Sequence, residues 1–261
     1  MLRFSANLGF LWPDRPLPEK IIAAARAGFK AIELHWPYDY SGRTVRELCE
    51  QHGLQLLGIN TVRGDADKGE MGLGAIPGRE REFQASVDEA ISFSLEAGGN
   101  AIHCMAGKIL PQDRVRARSI FVHNLGEASA KAARAGLTIL LEPLNTHDAA
   151  GYFYSKVSEA ADIIREINRS NIKLMFDAYH VGMSGTDPSI EIVSYLPIIG
   201  HVQIAGVPTR AEPDEGTVDY RRFFATLDRL GYNGWIGAEY KPRLSTDQGL
   251  AWVQALGVGL G

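Results

Sequence analysis

The feature that most constrains the fold is a sequence pattern that recurs with variation along the chain: a helical stretch, a glycine, a short apolar run and then a polar residue. The copies pair Gly28 with Glu33, Gly53 with Asn60, Gly98 with His103, Gly136 with Glu142, and Gly231 with Glu239. A glycine at this place caps a helix in the left-handed conformation and turns the chain into a strand. The repeated pattern therefore predicts a series of helix–strand units.

Three further apolar runs lack the glycine but also end on a polar residue, at Asn7, Asp177 and Gln203. Eight strands that alternate with helices predict one α/β domain over residues 1–261, a (β/α)8 or TIM barrel with a parallel sheet inside and helices outside. The length of 261 residues and the 45% hydrophobic content suit one such core. An open doubly wound sheet is the alternative, but no GxGxxG or Walker-type loop follows a strand.

Apolar residues that recur with the helical period predict the helices. Their expected ranges are 17–27, 44–52, 81–97, 114–135, 156–168, 188–196, 220–230 and about 246–256. Two connections, 61–80 and 208–219, are longer than their positions require and carry many glycines or charges. Both follow strand ends, so each is either a solvated surface loop or part of a pocket wall or lid.

Two segments carry an apolar run to a glutamate with a proline close behind. They are TILLEPLN, which contains Glu142, and GWIGAEYKP, which contains Glu239. Because proline cannot donate to a strand ladder, pairing should stop there and leave the carboxylate at the opening of the barrel. Barrel enzymes place their chemistry at these C-terminal strand ends, so the two carboxylates are candidate site residues.

Four consecutive strands, the fifth to the eighth, end at Glu142, Asp177, Gln203 and Glu239. Three carboxylates that converge on one point repel each other unless a cation lies between them, and a hard divalent ion takes such oxygen ligands. The sequence therefore predicts one divalent metal ion, with Mg²⁺ or Mn²⁺ favoured. A single strand-end acid is more often an ion-pair partner of Lys or Arg, but four in a row favour the metal.

Histidine side chains add weaker candidates near this site. His180 lies three residues after Asp177, where it is either a partner of a metal ligand or a hydrogen-bond donor to substrate. His103 and Asn7 also end strands and face the same opening. The segment HWPYDY, residues 35–40, is either a pocket wall or an interface between copies in a homo-oligomer.

Charge and cysteine usage narrow the class of protein. The formal net charge is -4, which gives no basic footprint for nucleic acid, so no nucleic-acid partner is expected. The N-terminus lacks an apolar signal segment and no stretch of eighteen apolar residues occurs, so a soluble cytoplasmic protein without a membrane partner is expected. Cys49 and Cys104 lack CxxC spacing and are expected to be buried free thiols.

Over nearly its whole length the chain resembles the hydroxypyruvate isomerase family of the xylose-isomerase-like barrels. The resemblance rests on RFSANL, IPGRE, EPLN, DAYH, GHVQIA followed by RAEP, and GYNGWIGAEYKP. It implies a metal held by Glu142, Asp177, Gln203 and Glu239, with the two glutamates as the proton-transfer residues. Related epimerases have a histidine in place of Gln203 and bind substrate with a histidine and an arginine similar to His180 and Arg210.

The activity that the resemblance implies is the interconversion of hydroxypyruvate and tartronate semialdehyde. A base removes a carbon-bound proton beside the carbonyl, an enediolate forms, and the proton returns to the neighbouring carbon; a divalent ion stabilises the negative charge on oxygen. The substrate is thus a small 2-oxo acid. Its carboxylate needs a cation, for which Arg210 is the first candidate because its fork can bind both oxygens, with Lys108 and Lys241 as alternatives.

Three other functions remain open at this point. The same family includes enzymes that act on four-carbon 2-oxo acids such as 2-oxotetronate, and the sequence gives no pocket size. The apurinic-endonuclease branch of the superfamily hydrolyses phosphodiesters with a multi-zinc cluster, but it would need histidines where this chain has Asn60 and Gln203. A non-catalytic sugar-acid binding protein with the same fold is the third, since a barrel does not imply a function.

Overall fold

The computed structural model describes residues 2–260 of the chain. Within that range the backbone forms a closed barrel of eight parallel strands in sequence order, each paired with its neighbours and the last paired with the first. The strands are β1 (Arg3–Asn7), β2 (Ala31–Glu33), β3 (Gln55–Asn60), β4 (Ala101–His103), β5 (Thr138–Leu141), β6 (Ile172–Asp177), β7 (Ile199–Ile204) and β8 (Trp235–Ala238). The predicted (β/α)8 barrel is confirmed, and the open sheet is excluded.

The α-helices of the described range lie between and after the strands. They are α1 (Leu17–Ala27), α2 (Gly42–His52), α3 (Glu80–Ala97), α4 (Arg114–Arg134), α5 (Val157–Ile167), α6 (Ala178–Met183), α7 (Pro188–Tyr195), α8 (Tyr220–Arg229), α9 (Thr246–Gly249) and α10 (Ala251–Leu256). Most agree with the predicted ranges to within two residues. Two differences stand out: the last predicted helix is broken at Leu250, and the short helix α6 directly after β6 was not predicted.

The five glycines of the repeated pattern adopt the left-handed conformation that was predicted for them. Each has a positive φ, between 66° and 102°, after the helix it ends: Gly28, Gly53, Gly98, Gly136 and Gly231. Left-handed backbone carries no steric penalty for glycine, so the chain can leave the helix and enter the next strand within a few residues. Polar caps fix several helix starts, as when the Ser41 side chain accepts from the Thr44 N–H and begins α2 two residues earlier than predicted.

The strands separate two layers of side chains. Residues such as Phe4, Ile139 and Val202 are fully buried in the main hydrophobic core, which also contains the inner faces of the helices. The alternate positions face the inside of the barrel, where Ala101, Leu140 and Met175 form a small separate apolar cluster. Polar residues lie beyond that cluster at the C-terminal strand ends, so the barrel interior is apolar lower down and polar at its opening.

The two long connections are partly packed rather than wholly solvated. Residues 61–80 hold Leu73 and Ala75 buried, and Gly72 forms a β-bridge with Ala106 after β4, while residues 65–69 are exposed. Residues 208–219 bury Glu212, which pairs with Arg243 at 2.8 Å in the connection after β8. Residues 208–219 therefore bring Arg210 to the barrel opening, where it contacts Glu239, and residues 61–80 pack against the connection after β4.

Other expectations concern thiols and membranes. Cys49 and Cys104 are buried free thiols, as predicted. Among residues 2–260, none of the helices has both the length and the apolar character needed for a membrane crossing.

Candidate active site

Polar side chains from four consecutive strands meet at the barrel opening. Glu142 directly follows β5, Asp177 ends β6, Gln203 lies in β7 and Glu239 directly follows β8. Asp177 and Gln203 are paired in register between β6 and β7. All four are at most 6% exposed. Glu142, Gln203 and Glu239 line one cavity with Asn7, His35 and His103. The structure thus places the four predicted positions at the same end of the barrel.

Glu142, Asp177 and His180 form a group that is able to hold a metal ion. Their nearest ligand atoms all lie within 4.8 Å of one another. His180 Nε2 is 3.6 Å from both Glu142 Oε1 and Asp177 Oδ2, which is too long for a hydrogen bond. Within residues 2–260, these three atoms and Gln203 Oε1 are buried and without a hydrogen-bond partner. Buried polar atoms are rarely left unpaired, so this concentration fits an ion with oxygen ligands.

The hydrogen bonds of His180 decide which ring nitrogen carries the proton. The backbone N–H of Asn145, in the connection after β5, donates to His180 Nδ1 at 3.0 Å. A backbone N–H cannot accept, so Nδ1 is the acceptor and the proton of the neutral ring lies on Nε2. Burial and the nearby Arg210 lower the pKa of His180 to about 3, so the ring is neutral. His180 therefore presents an N–H, rather than a lone pair, towards Glu142 and Asp177.

Glu239 is surrounded by hydrogen-bond donors. Its Oε1 accepts from the Asn7 side-chain amide at 3.0 Å and lies 2.8 Å from His35 Nε2. Its Oε2 accepts from Arg210 Nη2 at 3.0 Å. Burial raises the pKa of Glu239, but the His35 contact and the Arg210 charge outweigh burial and hold the pKa at about 2. Glu239 is ionised throughout the physiological range.

The environments of Glu142 and Asp177 favour the protonated carboxyl group, in contrast to that of Glu239. Burial, with repulsion from Glu239 and Asp177, raises the pKa of Glu142 well above its ordinary value. Burial, with repulsion from Glu239, also raises the pKa of Asp177 to about 7. One cavity therefore contains one carboxylate held ionised and one held towards its protonated form, the arrangement that proton-transfer sites use.

Arg210 is fixed on several sides at the wall of the site. Its guanidinium lies 4.7 Å from the ring centroid of Phe10 and 4.9 Å from that of Tyr179, and Nη1 is 3.6 Å from Asp148 Oδ2. Its backbone has φ of 57°, a left-handed conformation that is uncommon for a residue with a side chain. The buried Nε atom has no hydrogen-bond partner among the residues that the structure describes. Arg210 thus keeps one donor free at the edge of the site.

The two predicted lysines lie farther out. Lys108 and Lys241 are exposed residues in the connections after β4 and β8, and Lys241 Nζ is 5.8 Å from the ring centroid of Phe10. Neither forms an ion pair with another described residue. Both lysines therefore lie outside the buried part of the site.

Some site residues were not singled out by the sequence. His35 appeared only as part of an aromatic segment, yet it contacts Glu239. Asp148 accepts from Tyr179 Oη at 2.8 Å and faces Arg210, which joins the connection after β5 to helix α6 and to residues 208–219. The signal for His35 was present, because it follows the strand-end residue Glu33 by two positions. Nothing local marked Asp148.

A lower polar cluster lies inside the barrel, beneath Gln203. Glu33 Oε1 accepts from the Ser5 hydroxyl at 2.6 Å and lies 3.0 Å from His201 Nε2, while Oε2 accepts from the Gln203 amide at 2.9 Å. Burial raises the pKa of Glu33, but His201 and the Ser5 hydrogen bond bring it below its ordinary value. The sequence identified Glu33 only as a strand end.

The closed (β/α)8 barrel, with buried acidic residues at its C-terminal strand ends, defines the protein as a TIM barrel. Comparison with known proteins identifies the family. Residues 21–256 match the family model described as xylose isomerase-like TIM barrel. The chain belongs to this family.

Curated relatives extend over nearly the whole chain. The protein is 39% identical to a 2-oxo-tetronate isomerase of Cupriavidus necator, with 97% of this chain and 98% of that protein covered. It is 41% identical to a putative hydroxypyruvate isomerase of Mus musculus, with 97% and 95% covered. These relatives confirm the resemblance found in the sequence, and their names agree with the prediction of an isomerase.

A solved structure gives the same fold. The crystal structure named AP endonuclease, family 2, from Brucella melitensis superposes with a TM-score of 0.94 at 38% identity and covers 97% of this chain and 98% of that one. This similarity confirms the barrel independently of the curated relatives.

Proposed function

We propose that the protein is an aldose–ketose isomerase that interconverts hydroxypyruvate and tartronate semialdehyde with the help of one divalent metal ion. The observation that supports this most directly is the pair of buried carboxylates, Glu142 and Glu239, which line one cavity at the C-terminal ends of β5 and β8. Proton transfer between adjacent carbons needs a group that takes a proton and a group that gives one. The family membership supports the same reaction class.

The metal ligands of the proposal are Glu142, Asp177, Gln203 and Glu239, with Mg²⁺ or Mn²⁺ as the ion. Support comes from the unpartnered atoms Glu142 Oε1, Asp177 Oδ2 and Gln203 Oε1, which are the oxygen donors these ions take. His180 is not a ligand in this proposal, because its Nε2 carries the proton. When bound, the ion stabilises negative charge that develops on the substrate's two neighbouring oxygens.

The chain's own residues move the protons. One glutamate removes a proton from the hydroxyl-bearing carbon of hydroxypyruvate, an enediolate forms, and a proton is delivered to the neighbouring carbonyl carbon. In parallel, the hydroxyl oxygen loses its proton and becomes the aldehyde oxygen, and the former carbonyl oxygen gains a proton and becomes the hydroxyl. The product is therefore an isomer of the substrate. We assign the carbon steps to Glu142 and Glu239 in either order. The N–H at His180 Nε2 is the hydrogen-bond donor to one of the reacting oxygens.

Arg210 is the proposed partner of the substrate carboxylate. Its unpartnered Nε–H remains available although its other nitrogens contact Glu239 and Asp148. The planar guanidinium is held between the rings of Phe10 and Tyr179, so little conformational freedom is lost when it binds an anion. Lys108 and Lys241 are positioned to attract the anion at the rim rather than to orient it.

A four-carbon substrate is the second candidate. The Cupriavidus necator relative named 2-oxo-tetronate isomerase is 39% identical, close to the 41% of the relative named for hydroxypyruvate. The chemistry is the same, and the longer acid needs only extra space for a hydroxymethyl group. Turnover of hydroxypyruvate and a 2-oxotetronate, measured side by side with and without a chelator, tests the choice. A higher kcat/KM for the four-carbon acid would replace the three-carbon assignment.

Removal of one carboxylate tests the reaction itself. We expect Glu142→Gln to reduce turnover by about 10²–10⁴-fold, the range typical of a lost general acid or base, with an unchanged circular dichroism spectrum. Glu127→Gln on the exposed face of α4 is the matched control and should turn over at the wild-type rate. Unchanged turnover by Glu142→Gln would refute the assignment.

Phosphodiester hydrolysis is the competing activity, raised by the name of the Brucella melitensis structure. The strand ends that would need zinc-binding histidines carry Asn60 and Gln203 in this chain. A net charge of -4 also gives no general attraction for DNA. Binding of one Mn²⁺ or Mg²⁺ per chain and no cleavage of DNA that contains an abasic site are the results expected for the isomerase; three zinc ions with cleavage would favour the nuclease.

A further inference from the structure

Glu33 lies inside the barrel beneath Gln203 and lines the lower part of the same cavity. It ends β2, is 5% exposed, and its Oε2 accepts from Gln203 Nε2 at 2.9 Å. The Ser5 hydroxyl donates to its other oxygen at 2.6 Å, and His201 Nε2 lies 3.0 Å from that oxygen without a hydrogen bond of good geometry. The hydrogen bond from Ser5 of β1 thus fixes one oxygen of the Glu33 carboxylate, and the other oxygen faces the Gln203 amide.

This contact decides which way the Gln203 amide faces. A carboxylate accepts hydrogen bonds and does not donate them, so the NH₂ group of Gln203 must point to Glu33. The amide oxygen then points the other way. Gln203 Oε1 is buried and has no hydrogen-bond partner among residues 2–260, like Glu142 Oε1 and Asp177 Oδ2.

The backbone of β8 leaves the space that this arrangement needs. Gly237 is the register partner of Gln203, and a Cβ atom there would lie 2.4 Å from Glu33 Oε1 and 2.9 Å from Gln203 Cγ. A Cβ atom is essentially never found this close to another heavy atom to which it is not bonded. A side chain at this position would therefore displace the carboxylate, the amide or both.

We propose that Glu33 is a positioning residue, which contacts no substrate or metal but fixes the Gln203 amide with its oxygen towards the metal site. This inference rests on the proposed function, because it takes Gln203 as a metal ligand. A carboxylate only accepts, whereas a glutamine at residue 33 can donate as well as accept and so no longer fixes the Gln203 amide. The Gln203 amide can then rotate by half a turn and present its NH₂ group to the cation, which is repulsive. Loss of such supporting contacts typically weakens metal binding by about 10–100-fold.

A double-mutant cycle on metal affinity tests the proposal without relying on turnover. The dissociation constant for Mn²⁺ is measured by titration calorimetry for the wild type, Glu33→Gln, Gln203→Ala and the double variant. We expect Glu33→Gln to weaken Mn²⁺ binding about 10–100-fold and to have no further effect in the Gln203→Ala background. Glu127→Gln serves as the control with wild-type affinity.

The outcomes separate this inference from the function on which it rests. If the wild type binds no Mn²⁺ or Mg²⁺, the metal site of the proposed function is wrong, and this inference falls with it. If the wild type binds Mn²⁺ but the two substitutions weaken binding additively, or Glu33→Gln leaves it unchanged, only the role of Glu33 is refuted.

A second measurement uses the wild-type protein and so does not depend on whether Glu33→Gln folds. In protein labelled with ¹⁵N-glutamine, the side-chain amide signals that disappear in Gln203→Ala belong to Gln203. We expect these amide protons to exchange slowly with solvent and their signals to shift when Mg²⁺ is added. Fast exchange, or signals that Mg²⁺ leaves in place, would show that the amide is not held as proposed.

Discussion

The guanidinium of Arg210 donates to Glu239 Oε2 at 3.0 Å, on the side of the carboxylate opposite to His35, which lies 2.8 Å from Oε1. Both oxygens of Glu239 are thereby engaged by groups that favour its ionised form. The same arginine keeps its Nε–H unpartnered among the described residues. Arg210 thus connects a proposed proton-transfer residue to the proposed binding point of the substrate carboxylate.

Arg210→Lys is expected to lower kcat/KM for the 2-oxo acid by about 10–100-fold, the loss that follows when a charged hydrogen bond worth roughly 1.5–3 kcal/mol is removed. A lysine keeps the charge but cannot bind Glu239, Asp148 and the substrate through one planar group. Steady-state kinetics measure the effect, and Arg229→Lys on the outer helix α8 is the control. A variant with wild-type kcat/KM would show that another cation binds the carboxylate.

Gly9→Ala is expected to disturb the contact between His35 and Glu239, because residue 9 lies against Nδ1 of the imidazole and Glu239 contacts Nε2. A Cβ atom at residue 9 would lie 2.2 Å from His35 Nδ1, so the imidazole has to move away. Because His35 lowers the pKa of Glu239, its displacement raises that pKa. The titration of the Glu239 carboxyl in the metal-free protein, followed by ¹³C NMR, should then move to higher pH. A titration at the wild-type pH would mean that His35 does not lower the Glu239 pKa.

Metal binding is expected to strengthen as the pH rises through about 7. In the metal-free protein the pKa of Asp177 is about 7 and that of Glu142 lies well above its ordinary value, whereas a ligand carboxylate must be ionised. Metal binding below pH 7 therefore has to displace protons. Glu239, with a pKa of about 2, adds nothing to the pH dependence in this range.

The same pKa values predict the sign of the change in folding stability. The Asp177 pKa is raised above the 3.8 of a free side chain, so the metal-free folded protein holds a proton that the unfolded chain releases. Its contribution to stability is fully present below about pH 4 and is lost as the pH rises to about 7. The increase in Tm caused by Mg²⁺ or Mn²⁺ should therefore be larger at pH 8 than at pH 6. Equal increases at the two pH values would contradict the prediction.

Gly126→Ala is expected to stabilise the protein without affecting turnover. Gly126 lies inside α4, and a Cβ atom there would meet no other atom within 4 Å. Replacement of glycine by alanine in a helix interior is worth about 0.5–1 kcal/mol, which corresponds to roughly 1–4 °C in Tm for a domain of this size. Thermal unfolding followed by circular dichroism measures it, and a lower Tm would reveal a packing conflict. The variant also serves as the matched glycine-to-alanine control for Gly9→Ala.

Much of the barrel was predictable because its signals are local. The glycines at 28, 53, 98, 136 and 231 each end a helix through a backbone conformation that depends mainly on the residue itself. The short helix α6 was missed because Asp177 both ends β6 and caps that helix by accepting from the Tyr179 N–H at 2.8 Å. Because Asp177 belongs to both elements, no turn or loop residues separate β6 from α6 in the sequence. The break at Leu250 did have a local signal, because Gly249 directly precedes it and ends α9.

The sequence by itself determined that eight strands end in polar residues and that Glu142, Asp177, Gln203 and Glu239 belong to neighbouring strands, because strand order in such a barrel follows chain order. Only the tertiary structure decided how these side chains differ. His35 and Arg210 hold Glu239 ionised, Asn145 fixes the proton of His180 on Nε2, and Glu33 turns the Gln203 amide. These contacts join residues up to 204 positions apart in the chain, and the pKa values depend on burial that exists only after the barrel closes.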